Sequence, residues 1–228
     1  MILLIDTALS SAHVSLASEG RIVATKTSAN QKEHASFIQP AIAELLKETG
    51  TTWEAIKAVA VSNGPGSYTG LRVGLATAKG ICFARNIPLI CLSTLRIVAG
   101  AWLAENKHDK NHSFFVVPMI DARRMEVYTA VYDQDMNEVV GPSALILSEE
   151  SYRDQLDAHP TYFIGDGSPK WANLCTQTTA SFPTNTQETA FYMALMATES
   201  FNMQDFNDLA YAEPFYIKDF HTTALSKR

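Results

Sequence analysis

The stretch Asn63-Gly-Pro-Gly-Ser-Tyr-Thr-Gly-Leu-Arg-Val-Gly-Leu-Ala-Thr-Ala-Lys-Gly80 decides the fold of this chain. It follows the apolar run Ala58-Val-Ala-Val-Ser62, so the pattern predicts a strand, a glycine-rich turn and a helix. In such a turn, backbone N–H groups and the helix N-terminus can face a phosphate. Because glycine costs about 1 kcal/mol relative to alanine inside a helix, its glycines predict close approach of another backbone. The small residues form two rows at i, i+4 spacing: Gly70, Gly74 and Ala78, and Ala76, Gly80 and Ala84.

Upstream of this stretch, the sequence predicts a three-strand meander and one helix. The run Ile2–Ile5 is apolar, two alternating segments follow it, and an amphipathic pattern extends from Glu33 to Glu48. Ser36 and Gln39 have the spacing of a capping box. Pro40 is tolerated in the first turn of a regular helix that begins near Phe37. If the helix begins earlier, we expect Pro40 to kink it.

Downstream, a strand at 87–92 and a helix at 93–105 complete the order βββαβαβα. The second half begins again with strands and ends in an Ala/Met-rich helix over 188–201. We therefore predict two α/β lobes, residues 1–105 and 106–228, divided at the polar stretch that starts at Asn106. The last helical or terminal segment is expected to pack back on the first lobe.

The composition of the chain limits the classes of function that it can have. The chain has 228 residues, 46% of them hydrophobic, with a formal net charge of −6 and a pI near 5.5. A free-standing nucleic-acid binder is usually basic, so the acidic balance argues against that class. No secretory signal or membrane span is recognised, and the three cysteines lack metal-site spacing. These features favour reduced, buried thiols and a cytoplasmic protein.

Six short motifs together resemble one family, the bacterial TsaB (YeaZ) family. Their order and spacing cover nearly the whole chain, and the Gly-Pro-Gly-Ser-Tyr-Thr-Gly run is the most specific of them. The resemblance implies an actin/sugar-kinase/Hsp70-like (ASKHA) fold. The motifs are Leu4-Ile-Asp-Thr-Ala8, Glu33-His34 with Pro40, Gly64–Gly74, Ser93-Thr-Leu95, Asp121-Ala-Arg123 with Glu126-Val-Tyr128, and Ala212-Glu-Pro-Phe-Tyr-Ile217.

The resemblance also implies a role. TsaB-type proteins are non-catalytic paralogues of TsaD, the subunit that transfers a threonylcarbamoyl group to adenosine 37 of tRNA. They pair with TsaD, and the ATPase TsaE joins the pair. We therefore expect a scaffold subunit that homodimerises when alone and meets tRNA indirectly, through the complex. The catalytic paralogue holds a metal with a His-x-x-x-His pair, where this chain has Thr94 and Val98, so no metal site is expected.

The docking face is predicted on the two helices that flank the strand at 57–62. The second helix has small residues around much of its circumference, and a helix that is apolar on more than one side is buried on more than one side. The spacing alone leaves core packing as an equal alternative, and the resemblance favours partner contact. The predicted partner-binding residues are His34, Phe37, Ile38, Ala41, Leu45, Gly70, Leu71, Gly74, Leu75, Ala78 and Ile81.

Nucleotide chemistry remains an alternative. A kinase or hydrolase of the same superfamily would use the first strand end and the glycine-rich turn, although the Lys-Ser/Thr of a P-loop is missing. A glycoprotease-like peptidase is a weaker alternative, because no nucleophile motif is present. No cofactor is expected beyond weak nucleotide binding. The candidate phosphate-binding residues are Asp6, Thr7, Gly64, Gly66, Ser67 and Thr69.

Two remaining features are interpreted as structural. His108 and His112 have the i, i+4 spacing of helical metal ligands, but they lie in a polar segment and are expected to be solvated. The segment Asp121–Glu126 places two arginines beside two carboxylates at the domain junction, which predicts a solvated or inter-domain ion-pair network. Contact with tRNA or a partner is the alternative for the arginines.

Overall fold

The first half of the chain forms a five-stranded mixed sheet. The computed structural model describes residues 1–30, 33–106, 112–184 and 188–218. The first three strands are antiparallel, and the last two run parallel to β1, which confirms the predicted meander. The sheet has the order β3-β2-β1-β4-β5 and consists of β1 (Ile2–Asp6), β2 (Ala12–Ser18), β3 (Arg21–Ser28), β4 (Ala58–Gly64) and β5 (Leu89–Ser93).

The first half also contains three helices, which are α1 (His34–Thr49), α2 (Tyr68–Arg85) and α3 (Thr94–Glu105), and a 3-10 turn at Trp53–Ala55. The second half forms another five-stranded sheet with the order β10-β9-β6-β7-β8. Its elements are β6 (Phe115–Asp121), β7 (Glu126–Asp133), β8 (Glu138–Ile146), α4 (Arg153–Ala158), β9 (Thr161–Ile164), α5 (Ser168–Ala172), β10 (Ala180–Ser181) and α6 (Thr189–Met203). Two mixed sheets with helices between them agree with the predicted ASKHA-like fold.

Both faces of the first sheet are covered, as the alternation along β1 shows. Leu3 and Ile5 pack in the core beneath α1 and α2, whereas Ile2 and Leu4 pack in the core beneath α3 and α6. Every residue of β1 is therefore buried. The strand reads as a continuous apolar run because successive side chains enter two different cores.

Helix α3 lies between the two sheets. Ile97 belongs to the core of the first sheet, while Val98 and Trp102 pack with β6 and β7 of the second. The segment Thr94–Trp102 is buried except for the half-buried Arg96. A helix that is apolar all round fits this position between two layers.

Helix α1 begins earlier than the capping pattern predicts. It starts at His34 with Glu33 as a cap that makes no side-chain hydrogen bond, so the predicted capping box is wrong. The Ser36 hydroxyl instead donates to the Glu33 carbonyl at 3.0 Å. Pro40 lies inside the helix, where it removes one backbone N–H. Packing of Ile38 and Ile42 against the first sheet holds the helix together despite that loss.

The end of the described chain returns to the first sheet. Helix α6 contacts β1, β2, β3 and β5, and residues 205–218, which we call the C-terminal strap, run on past the edge strand β5. The Asn207 N–H donates to the Leu89 carbonyl at 2.9 Å, and the Asn207 amide oxygen accepts from the Cys91 N–H at 2.6 Å. Among the described residues, no helix combines the length and apolar character needed to cross a bilayer.

Candidate protein-docking face

An open groove lies between α1 and α2 on the outer side of the first lobe. It has a volume of about 580 Å³, and we call it the docking groove. Its floor is formed by the second row of small residues, and a side chain added at Gly80 would meet nothing within 4 Å. Apolar side chains and aliphatic stems form most of the walls. The lining residues are Gln39, Trp53, Ala76, Thr77, Gly80, Ile81, Ala84 and Arg85.

Two features at the groove are typical of interfaces. Phe83 stands beside it with 81% of its surface exposed, the second most exposed large apolar side chain in the described chain. At one end, Arg85 pairs with Glu54 at 2.9 Å, where both side chains remain exposed to solvent. An exposed aromatic ring beside small residues and a polar rim is the composition that protein interfaces favour.

Most of the predicted partner-binding residues face the chain's own core and not the docking groove. Their side chains are used in the chain's own core, so they are not available to a partner. Phe37 and Ile81 are half-buried, and of the predicted set Ile81 alone lines the docking groove. The buried residues are His34, Ile38, Ala41, Leu45, Gly70, Leu71, Gly74, Leu75 and Ala78.

The first row of small residues packs internally because α2 crosses close to the β1–β2 connection. A Cβ atom at Gly70 would collide with the Thr7 carbonyl oxygen, and one at Gly74 would collide with the Thr7 hydroxyl. The same hydroxyl donates to the Gly70 carbonyl at 2.7 Å, in a buried position. The sequence therefore predicted the close backbone approach correctly but assigned it to a partner. The backbone that approaches belongs to this chain.

The candidate phosphate-binding residues are brought together at the carboxyl ends of β1 and β4, but their polar atoms are mostly occupied. One carboxylate oxygen of Asp6 accepts from the Ser62 hydroxyl at 2.6 Å and from the Ala8 N–H at 3.1 Å. The Ser67 hydroxyl caps α2 by accepting from the Gly70 N–H. Thr69 is exposed in the first turn of α2.

The glycines of the turn are also covered. A Cβ at Gly66 would collide with the Ala8 carbonyl oxygen, and one at Gly64 would lie 2.5 Å from the Phe215 carbonyl oxygen. Gly64 has a φ of +115°, so glycine is needed there for its conformation as well as for space. The turn seats α2 against two other segments of the chain.

His34 lies at the start of α1, near the end of β1 and the β1–β2 connection. Its side chain is 3% exposed, and neither ring nitrogen has a hydrogen-bond partner among the described residues. Burial lowers the pKa of His34 below its ordinary value, against the opposing effects of the Ser10 backbone and the Asp6 carboxylate. The neutral imidazole is therefore the form that the fold favours.

Thr94 and Val98, the positions where the family resemblance predicts that metal-binding histidines are missing, lie in α3. Thr94 and Val98 are both buried there, and Thr94 packs without a hydrogen-bond partner for its hydroxyl within the described chain. The described part of the chain contains no group of three or more His, Cys, Asp or Glu side chains that could hold a metal ion. His108 lies outside the described residues, and His112 follows that gap.

The segment Asp121–Glu126, which joins β6 to β7 and which we call the arginine hairpin, differs from its prediction. Its carboxylates pair with lysines from other segments, Asp121 with Lys170 at 2.6 Å and Glu126 with Lys218. The arginines take no part in these pairs. The sequence predicted a solvated or inter-domain ion-pair network, but it does not show that distant lysines, and not the neighbouring arginines, supply the cations.

The C-terminal strap, part of the terminal segment expected to pack back on the first lobe, lies along α2, and the sequence did not show which residues hold it there. Lys79 of α2 donates to the carbonyls of Ala210 and Ala212 at 3.2 and 2.9 Å. Arg72 stacks over the Tyr68 ring, 4.3 Å from its centroid, and donates to the Tyr216 hydroxyl at 3.2 Å. The strap thereby covers the flank of α2 that does not face the groove. The sequence signal was the pair of cations on α2, which had no predicted acidic partner at helical spacing.

Comparison with known proteins finds sequences and structures that are similar to this chain. A family model described as TsaD, tRNA N6-adenosine threonylcarbamoyltransferase, matches residues 21–220. The tRNA threonylcarbamoyladenosine biosynthesis protein TsaB of Escherichia coli (strain K12) is 38% identical over 60% of this chain, a match that spans 57% of the E. coli protein. TsaB of Haemophilus influenzae is 28% identical over 96% of this chain and 93% of its own length. The solved structure of YeaZ from Pseudomonas aeruginosa superimposes with a TM-score of 0.76 at 25% identity, covering 94% of this chain and 98% of that one.

Proposed function

Because the chain belongs to the TsaB (YeaZ) family, a branch of the group that the TsaD model describes, we propose that it is a non-catalytic scaffold subunit in tRNA threonylcarbamoyladenosine biosynthesis. Its role is to bind a TsaD-type catalytic subunit through the docking groove. A TsaE-type ATPase then joins the pair, as the family resemblance implies. The names of the relatives support the assignment to this pathway, and the geometry of α1 and α2 supports binding through the docking groove.

The observation that carries the proposal is the open row Ala76, Gly80 and Ala84. Small residues at i, i+4 spacing let a second helix approach with its backbone close, as ridges pack into grooves. Gly80 costs the helix about 1 kcal/mol relative to alanine, and nothing in the chain itself packs on it to offset that cost. The exposure of the row in an apolar groove therefore indicates a protein partner.

A non-catalytic role is supported by the chemistry of α3. Thr94 and Val98 stand where the catalytic paralogue has its metal-binding histidines, and both are buried against hydrophobic neighbours. A valine offers no ligand atom, and a threonine hydroxyl is a weak ligand. We assign the transfer chemistry to the partner on this basis.

The kinase or hydrolase alternative gains no support from the site. The carboxylate of Asp6 and the hydroxyl of Thr7 are used inside the chain, and the glycine turn is filled by carbonyl oxygens. Nucleotide binding stays a prediction from the superfamily resemblance. Homodimerisation of the isolated protein likewise stays a proposal, in which two copies of the groove cover each other.

The proposal is tested by co-elution with the TsaD-type protein of the same organism on size exclusion. Gly80→Arg places a long charged side chain in the groove without an internal collision, so we expect a folded protein that no longer co-elutes. Ala158→Arg, at an exposed alanine of α4 in the second lobe, is the matched control and should bind like the wild type. Co-elution of Gly80→Arg at the wild-type level would contradict docking through this groove. Failure of the wild-type pair to form would contradict the scaffold role itself.

A further inference from the structure

The arginine hairpin has an unusual backbone for the residues it carries. Arg123 and Arg124 are consecutive and have φ angles of 69° and 52°, both in the left-handed region. That region favours glycine, asparagine and aspartate, and it costs other residues roughly 1 kcal/mol each. Both side chains are exposed, so packing does not hold them in place. Something other than turn chemistry must account for two arginines at this tip.

The acidic groups around the hairpin are already paired. Asp121 accepts from the Arg123 N–H at 2.5 Å and from the Lys170 ammonium group at 2.6 Å. Glu126 pairs with Lys218, and the Asp166 carboxylate accepts from the Asp121 N–H at 2.9 Å. The guanidinium groups of Arg123 and Arg124 consequently have no hydrogen-bond or ion-pair partner in the described part of the chain.

We infer that the arginine hairpin binds the phosphate backbone of tRNA within the assembled complex. A guanidinium group is always charged and offers a planar fork of donors that matches phosphate oxygens. Two such groups at one exposed tip can contact adjacent phosphates. The inference rests on the proposed function, which supplies the tRNA, and it replaces the expectation that tRNA meets this chain only indirectly.

The net charge of the chain explains why this contact would act only in the complex. At −6, the protein repels a polyanion overall, so two arginines cannot bring tRNA to the isolated chain. Once the catalytic subunit holds the tRNA, however, the two exposed arginines add phosphate contacts and fix the orientation of the tRNA on the complex. An acidic surface on a partner protein is the competing ligand, and the test below separates it from RNA.

The experiment measures binding of full-length tRNA to the assembled complex by fluorescence anisotropy between 0.1 and 0.4 M KCl. The test variant is Arg123→Asn/Arg124→Asn, because asparagine adopts the left-handed conformation readily and keeps the hairpin folded. Each lost phosphate contact lowers the slope of log K against log salt by about 0.7 to 0.9. We expect the slope to fall by about 1.4 to 1.8, which corresponds to about 25- to 60-fold weaker binding at 0.1 M salt.

Two control variants sharpen the result. Arg153→Asn removes one cation of the same lobe that already pairs with Glu150, and it should leave the slope unchanged. Arg123→Lys/Arg124→Lys keeps both charges and should retain most of the slope. Wild-type tRNA affinity and slope in the asparagine variant would overturn the inference, while complex formation would still support the proposed function. Loss of the TsaD-type partner by that variant would also overturn it, since the hairpin would then bind protein.

Discussion

The two rows of small residues on α2 predict opposite responses to the same substitution. Gly80→Ala adds a methyl group in open space, so it should stabilise the helix by about 0.8 to 1 kcal/mol through backbone propensity alone. For a chain of this length, that gain raises Tm by about 2 to 4 °C. Gly70→Ala adds the same methyl group where the Thr7 carbonyl oxygen already lies.

The cost at Gly70 can be worked from its contacts. The methyl group must displace the β1–β2 connection, and overpacking of this kind costs about 1 to 3 kcal/mol. The displacement also breaks the buried hydrogen bond from the Thr7 hydroxyl to the Gly70 carbonyl, at about 1 to 3 kcal/mol. After the propensity gain of about 1 kcal/mol, a net loss of about 3 kcal/mol remains.

Equilibrium unfolding in urea, followed by circular dichroism, measures both changes. It should be run at two protein concentrations, because any self-association through the docking groove would make stability depend on concentration. Ala76→Gly in the exposed row is the control and should lose about 1 kcal/mol, the reverse of Gly80→Ala. The reasoning is refuted if both glycine variants move the midpoint in the same direction, or if Gly70→Ala lies within about 1 kcal/mol of the wild type.

Two further predictions concern titratable groups. Because burial lowers the pKa of His34, the unfolded chain binds its proton more tightly than the folded chain does, so stability should fall as the pH drops through 6.5. His34→Gln should flatten this loss between pH 7.5 and 5.5 in urea unfolding, and an unchanged pH slope would contradict the assignment. Burial also raises the pKa of Cys82 and of Cys91 to about 11, so both thiols should react with Ellman's reagent at pH 8 far more slowly in the native protein than in urea. Fast native reaction of both would show that they are not held in these sites.

The sequence was sufficient for the fold because its patterns are local. Periodicity located the strands of the first sheet, and glycine and apolar runs located α2 and β4. Element ends were less certain, and α1 shows why. Its start at His34 depends on packing of Ile38 and Ile42 beneath it, which overrides the capping signal at Ser36 and tolerates Pro40. Neither the capping pattern nor the proline indicates how much tertiary packing stabilises the helix.

The choice between the two rows of α2 could have been made from the sequence. Large apolar residues, Leu71, Leu75 and Cys82, flank the row that begins at Gly70, as expected for a face that enters a core. The row Ala76, Gly80 and Ala84 lies about a third of a turn away around the helix, and its neighbours include the polar residues Arg72 and Thr77 as well as Phe83. The row that we propose faces a partner is therefore the one with the more polar surroundings in its own helix. The family resemblance pointed to α2 but did not distinguish its two rows of small residues.

The sequence indicated a tight strand-to-helix turn, but it did not show what fills that turn, because the filling segments come from far away in the chain. A phosphate cradle needs free N–H donors around an open space. Here the Ser67 N–H donates to the Ala8 carbonyl at 2.7 Å, and the Phe215 N–H donates to the Asn63 carbonyl at 2.7 Å. The oxygens nearest the turn glycines are carbonyl oxygens of Ala8 and Phe215, whose partial negative charge repels an anion. The space that glycines could leave for a phosphate is occupied here by the backbone at Ala8 and at Phe215. These contacts hold the start of α2 in place, while the face of α2 at the docking groove stays exposed.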